Sequence, residues 1–485
     1  MAAPKGIKRI SDAVWELPTS FRSGMRVPIR VFATEDLVHA MDDAVFEQAA
    51  NVARLPGIVG ASMVMPDAHW GYGFPIGGVA AMDLEDGVIS PGGIGFDINC
   101  GMRLVLTNLT LDEVRPRLRE LVDALFERVP AGVGSRGFLE LTPSEFADVL
   151  REGAPWCVRR GLGTEEDLRR TEERGCFPGA DPDAVSERAV ERGHHQIGTL
   201  GSGNHYLEIQ VVRPEHVIDA KLAQRMGFVR PYQVAVMFHC GSRGFGHQVA
   251  SDYVRLFLDV MTKKYGLEVL DRELACAPFR SPEGQRYFAA MKCAANVSFA
   301  NRQVILHRVR EVFSSVFRRA PEDLGLNQVY DVAHNTAKVE THVVGGVKRK
   351  LLVHRKGATR AFAPGMAGVP EELAEVGQPV IIGGSMESGS YLLVGTKGGE
   401  ASFFSTAHGS GRTMSRHKAK KSFRGRELRD QLERRGIYVR SVSWSGLAEE
   451  AGAAYKDIDQ VIAATARAGI SRPVVRLTPI GNVKG

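Results

Sequence analysis

The chain has 485 residues, 44% hydrophobic and 24% charged, an ordinary globular composition with ample material for a large core. No run of about 18 apolar residues occurs, which excludes a membrane-spanning helix. The start Met-Ala-Ala-Pro-Lys-Gly-Ile-Lys-Arg-Ile also lacks the apolar segment of a secretory signal. Six cysteines, with no Cys-x-x-Cys pair, argue against a disulfide framework and for a cytoplasmic location, and a net charge of +6 permits a nucleic-acid partner.

Residues 35–54 predict one amphipathic helix with an acidic start. Three apolar runs between Gly-rich turns, at 58–67, 77–82 and 102–106, predict strands. Residues 111–128 predict a helix. Residues 130–200 are polar and loop-rich with short helices, and 130–190 is the expected peripheral insertion. Strands follow at 205–211 and 233–239. A long helix at about 284–319 follows from the spacing of Phe288, Met291, Ala295, Phe299, Val304 and Val309. Further strands are predicted near 329–332, 351–354, 380–382 and 391–394, a helix at 424–435, and two short helices within 446–468. Strands and helices mix without a βαβ rhythm, which predicts an α+β fold. Residues with chemical potential run from 67 to 484, so the expected architecture is one large intertwined domain with central sheets surrounded by helices.

The most informative run is Gly92-Gly-Ile-Gly-Phe-Asp-Ile-Asn-Cys-Gly-Met-Arg103. Asp97 and Cys100 are three apart in a glycine-rich turn, and thiolate with carboxylate suits a divalent transition metal. His205, His239 and His334 each sit at a strand edge beside Gly or Asn. One Asp, one Cys and three His make a two-metal ligand set with the sulfur as bridge. In Ser405-Thr-Ala-His-Gly-Ser-Gly-Arg412 the glycines expose His408. The loop's N–H groups, including those of Gly409 and Gly411, can hold phosphate, and Arg412 can clamp a second oxygen. A neutral imidazole there is a nucleophile towards phosphorus, a general acid or a turn residue. The loop Gly383-Gly-Ser-Met-Glu-Ser-Gly-Ser390 could approach a nucleotide closely but is no Walker loop. In Pro66-Asp-Ala-His-Trp-Gly-Tyr-Gly-Phe-Pro75, Asp67 and His69 serve as supporting or substrate groups, or the segment is a rigid aromatic corner. Basic residues cluster at 348–360 and at 412–426.

Seven segments in order resemble signatures of the RtcB family of RNA ligases. They are Pro66–Gly78, Gly95-Phe-Asp-Ile-Asn-Cys-Gly101, Gly201-Ser-Gly-Asn-His205, His239-Cys-Gly-Ser-Arg-Gly244, Asp331-Val-Ala-His-Asn335, His354-Arg-Lys-Gly-Ala-Thr-Arg360 and His408-Gly-Ser-Gly-Arg412. The resemblance runs from about residue 25 to the C-terminus. It implies a GTP- and manganese-dependent ligase that joins RNA ending in a 3′-phosphate or 2′,3′-cyclic phosphate to a 5′-hydroxyl end, with tRNA halves or damaged RNA as substrates. By motif, His408 takes GMP from GTP. Cys100 bridges two Mn²⁺, one held also by Asp97 and His205, the other by His239 and His334. The nucleotide pocket would use Asn204, Tyr206, Glu208, Asn335, Ser385, Ser390, Tyr455 and Lys484. Lys356, Arg412 and Arg416 would face RNA phosphates, and an archease-type activator is the protein partner suggested. The chain departs from the family at Gly383 and Glu387, where Pro and Gly are commoner, and at Tyr206, where Phe is common. Three alternatives stay open: an enzyme that caps ends with GMP, a binuclear metallophosphoesterase, and an RNA-binding module.

Overall fold

Two large β-sheets frame the computed structural model, which describes residues 3–485. The first runs in the order Lys8–Ser11, Val14–Leu17, Ile29–Phe32, Ile58–His69, Ile76–Asp83, Val347–Lys356, Asn335–Val344. The second runs Asn327–Ala333, Gly101–Thr110, Gln233–Cys240, Tyr206–Val212, Ser471–Lys484, Ser390–Gly395, Pro379–Ile382, and Tyr438–Ser441 pairs with Ser471–Lys484. Helices cover both, and the whole is one α+β domain, as the mixed pattern predicts. The chain passes from the first sheet to the second through residues 84–100 and returns through His334 alone. The first four strands of the second sheet are antiparallel neighbours. Their alternation brings the end of the first, the start of the second, the end of the third and the start of the fourth together. Those ends carry His334, Cys100, His239 and His205.

The helix Pro282–Phe317, capped by Ser281 Oγ accepting from Gly284 N–H at 3.1 Å, runs beneath this corner and is buried through most of its middle. Phe299, Val304 and Leu306 anchor it, each burial stabilising by about 1.5–3 kcal/mol. Its polar face holds the site instead. Ser298 Oγ donates to Asn99 O (2.7 Å), and Asn301 Nδ2 donates to Gly241 O (3.0 Å).

Several expectations need correction. The 35–54 helix is two, Glu35–Ala40 and Asp43–Val52, because Asp42 caps a new start by accepting from Ala44 N–H (2.9 Å). The 111–128 helix splits at Pro116 into Leu111–Val114 and Leu118–Arg128, joined by a 3₁₀ turn. Segment 130–190 is not peripheral. Phe146, Val149, Leu150, Trp156 and Cys157 join the main core, and buried Asp167 pairs with Arg310 at 2.7 Å. The helix Arg243–Lys263 was not expected, since its Gly-rich start reads as a loop and Arg243 itself has a φ of 58°. Nor was the strand Ser471–Lys484. Pro473 and Pro479 argue against a central strand, and the register shifts at both prolines accommodate them.

Candidate active site

The converging strand ends build a buried cluster of donors. Cys100 Sγ lies 3.4 Å from His205 Nε2 and 3.1 Å from His239 Nε2. His239 Nε2 lies 3.1 Å from His334 Nε2, and His205 Nε2 lies 2.8 Å from Asp97 Oδ2. The donors fall into two groups that share Cys100: Cys100, His239 and His334, and Asp97, Cys100 and His205. His205 Nδ1–H donates to Leu200 O (3.0 Å) and His239 Nδ1–H to Asn204 O (3.1 Å). Each therefore presents a bare Nε2 lone pair inward. Burial pushes His239 and His334 well below the ordinary imidazole range, so both are neutral donors. Burial, reinforced by Asp97, pushes the Cys100 thiol well up. Lone pairs this close, with a buried thiol and a carboxylate, make a donor set suited to a divalent metal, with Cys100 common to both groups.

The cluster rests on a second layer. Arg302, fully buried, donates from Nη1 to Asn99 O (2.9 Å) and Cys240 O (3.1 Å), the residues beside Cys100 and His239. Asp331 holds Arg302 and Arg103, accepting from Arg302 Nε (2.8 Å) and Nη2 (2.9 Å) and from Arg103 Nε (2.7 Å). Asn335 O accepts from Asn99 N–H (2.7 Å), and Cys100 O accepts from His334 N–H (2.9 Å), locking the first two inter-sheet crossings together. At Gly241 a Cβ would come within 2.4 Å of the Asp97 carboxylate, so only glycine fits.

His408 follows the short strand Ser405–Ala407, its ring centroid 4.8 Å from that of His334. Asp67, fully buried, accepts from His408 N–H (3.0 Å) and Gly409 N–H (3.2 Å) through Oδ2. The same oxygen lies 2.6 Å from His408 Nδ1, off the direction of a ring N–H, so that contact is electrostatic. Burial alone would raise the Asp67 carboxyl, but His408 and Lys456 outweigh it and hold it below the ordinary range. Asp67 is therefore an anion against Nδ1, which leaves Nε2 for chemistry. Lys456, missed in the sequence, donates to Pro66 O (3.1 Å) and Ala68 O (2.6 Å) on either side of Asp67. His69 is neutral, burial holding it near 3, and its Nδ1 lies 3.1 Å from Asp67 O.

Both elements open into one cleft of about 820 Å³, which also brings together Asn204, Tyr206, Glu208, Asn335, Ser385, Gly409, Gly411, Tyr455 and Lys484. Ser390, expected in the pocket, does not line the cleft; it is buried behind it, accepting from Gln210 Nε2 (3.3 Å), which also donates to Glu208 Oε2 (2.7 Å). Asn482 Nδ2 donates to Glu208 Oε1 (2.5 Å), and burial raises the Glu208 carboxyl to about 7. Lys484 Nζ lies 3.3 Å from buried Glu450 and 5.4 Å from the Tyr206 ring centre. Tyr455 also donates to Glu450. Asn335 spans Asp97 O (3.0 Å) and Gly357 N–H (2.8 Å), bracing the metal-side turn. Glu387 turns away from the cleft to Arg435 (3.3 Å) and Gly452 N–H (3.1 Å), so its charge leaves the loop undisturbed. Gly383 and Tyr206 are matched, since a Cβ at 383 would lie 2.5 Å from the Tyr206 hydroxyl.

Three expected phosphate contacts are placed differently from one another. Arg412 is committed to Glu450 (3.2 Å), Tyr455 (2.9 Å) and Glu449 O (2.7 Å), so it braces the pocket wall. Lys356 is buried, donating to Tyr72 O and to Phe74 O (3.2 Å), and burial lowers it to about 7. Arg416 is exposed at the rim, 3.3 Å from Asn204 Oδ1. Glu450, Asn482, Arg302 and Lys456 were missed. Each lies in a stretch whose apolar neighbours dominate the pattern, and no local motif marks it.

Comparison with known proteins agrees with these motifs. The model of the family described as "tRNA-splicing ligase RtcB" matches residues 48–485. A protein of Archaeoglobus fulgidus named tRNA-splicing ligase RtcB is 53% identical over 480 residues, 99% of each chain. One of Thermococcus kodakarensis with the same name is 54% identical over 481 residues, again 99% of each. The RNA-splicing ligase RtcB homolog 1 of Entamoeba dispar is 45% identical over 484 residues, 97% of this chain and 89% of its own. With this match over nearly its whole length, and with the donor cluster and His408 gathered in one cleft, the chain belongs to the RtcB family.

Proposed function

We propose that the protein is an RNA ligase that uses GTP and Mn²⁺ to join 3′-phosphate or 2′,3′-cyclic-phosphate ends to 5′-hydroxyl ends through a guanylylated His408. The observation that carries this reading is the place of His408. Its Nδ1 faces the Asp67 anion, its ring abuts His334 of the donor cluster, and it shares a cleft with Glu208. A hydrolase needs water near its metals but neither an imidazole so held nor a buried carboxylate for a base.

The chain's own groups supply most of the chemistry. Glu208 accepts from guanine N1–H and the 2-amino group, because each carboxylate oxygen keeps a lone pair beyond its bonds to Asn482 and Gln210. Lys484 donates to the O6 edge. Asp67 fixes the His408 tautomer so that Nε2 attacks the α-phosphorus. The new P–N bond replaces the bond to pyrophosphate, which leaves. A 2′,3′-cyclic end is first opened by water, which adds to phosphorus and releases the 2′-hydroxyl, leaving a 3′-phosphate. That 3′-phosphate takes GMP from His408, whose P–N bond breaks, and the 5′-hydroxyl then displaces GMP to form the phosphodiester. Metals bound by Asp97, Cys100, His205, His239 and His334 would offset phosphate charge and orient the groups. The test is sealing of a 2′,3′-cyclic-phosphate RNA to a 5′-hydroxyl RNA with GTP and Mn²⁺. Joined product supports the ligase. A 3′-guanylylated but unjoined end supports the capping enzyme, and hydrolysis alone supports the phosphoesterase.

A further inference from the structure

Residues 416–435 carry nine Lys and Arg against three Asp and Glu, a net of +6, which equals the net charge of the whole chain. The rest of the molecule is therefore neutral overall, and its excess charge is gathered in one place. The segment forms the helices Arg416–Ser422 and Gly425–Arg434, which pack with Trp444–Glu449 into a small helical cap. Leu428, Leu432, Leu447 and Ala451 form the cap's own core, and Met386 of the 383–390 loop is buried in it. The cap thus sits on the wall of the cleft, and Arg416, its first helical residue, lines the rim.

Eight of the nine Lys and Arg divide into two kinds, and the ninth, Arg434, is exposed at the end of the second helix. Arg416 and Lys420 pair with Glu449, Arg429 with Asp430, and Arg435 with Glu387. Lys418, Lys421, Arg424 and Arg426 are exposed, and among the described residues none has a carboxylate within ion-pair distance. Four exposed cations held close together without counter-charges repel one another, an arrangement that favours a polyanion. Beside them Trp444 is 41% exposed, with the guanidinium groups of Arg426 and Arg429 lying 5.9 and 5.0 Å from its ring centre. Basic side chains interleaved with an exposed aromatic are the elements of a single-strand track.

We infer that this cap binds the body of the RNA, with Lys418, Lys421, Arg424 and Arg426 on successive phosphates and Trp444 under a base, leading the strand from the cleft rim outwards. The inference rests on the ligase function proposed above. RNA suits the surface better than an acidic protein does, because the cations continue from a rim that already admits nucleic-acid ends.

The test compares wild type with a variant in which Lys418, Lys421, Arg424 and Arg426 all become Gln, and with Trp444→Ala separately. Binding of a long single-stranded RNA and of a short oligomer is measured across salt concentrations, alongside His408 guanylylation without RNA. For the long RNA, the log–log salt slope should become shallower by about 0.7 per lost contact, or about 3 in total. Affinity should fall with it, while binding of the short oligomer and guanylylation hold. Trp444→Ala should weaken long-RNA binding with the salt slope unchanged. Unchanged long-RNA affinity and slope in the quadruple variant would overturn the inference, and that is the behaviour expected of a surface for an acidic protein. Equal loss for both RNA lengths would overturn it too. Failure of wild type to guanylylate would instead defeat the ligase function, so the two failures are distinguishable.

Discussion

Asp67→Asn isolates the electrostatic role of the carboxylate behind His408. The substitution keeps size and one carbonyl acceptor but removes the charge. In the native site one oxygen serves three groups: His408 N–H at 3.0 Å, Gly409 N–H at 3.2 Å and His408 Nδ1 at 2.6 Å. A hydrogen bond to a charged group contributes about 1.5–3 kcal/mol and a neutral one about half that, so each of the two backbone N–H bonds weakens by about 1 kcal/mol, and loss of the anion beside Nδ1 costs a similar amount. Three contacts give about 3 kcal/mol. If all of it is lost in the transition state, guanylylation slows by about 10²-fold. The assay is single-turnover transfer from labelled GTP, with GTP affinity measured separately and expected to hold, because Glu208 and Lys484, the groups proposed to read guanine, do not contact Asp67. A variant as fast as wild type would refute the reasoning. A loss confined to GTP affinity would do the same.

Other outcomes follow from the same geometry. Cys100→Ala removes the donor shared by both groups, so metal content measured on the purified protein should fall and guanylylation with it; full occupancy of two metals in that variant would contradict the bridging role. Glu208→Gln should lower the preference for GTP over ATP in nucleotide labelling. The native Glu208 carboxyl is raised from 4.5 to about 7, so the folded state binds a proton that the unfolded state has lost between those values. Stability contributed by that proton is present at low pH and lost as pH rises towards 7. The Tm of Glu208→Gln relative to wild type should therefore improve from pH 5 to pH 8, and a flat difference would count against the assignment. Asp331→Ala leaves Arg103 and Arg302 buried without their carboxylate and should cost about 3–5 kcal/mol in denaturant unfolding. A cost under about 1 kcal/mol would show that water or other groups satisfy both guanidiniums.

The donor set was legible in the sequence because its chemistry is carried by unusual residue types at strand ends. Cys100, His205 and His334 adjoin glycine or asparagine, Asp97 and His239 lie two residues from one, and the sheet order then brings them together. The pocket's charge balance was not legible. Glu450 and Lys456 act through contacts across long sequence separations, with Lys484 and with the carbonyls of residues 66 and 68. Arg412 has a sequence setting that suggests a free phosphate clamp, yet Glu450 and Tyr455 occupy it. The strand Ser471–Lys484 was hidden by its two prolines, and the helix Arg243–Lys263 by its glycines. Segment 130–190 looked peripheral because its surface is polar, while Phe146 and Trp156 face the core.

The central claim is that His408 carries the nucleotide. Incubation with GTP labelled at the α-phosphate and Mn²⁺, followed by peptide mapping, tests it most directly. The expected result is one adduct of GMP on His408, labile in acid and stable in alkali as a phosphoramidate is, and absent from His408→Ala. An adduct that persists in His408→Ala, or label that maps to another residue, would contradict it.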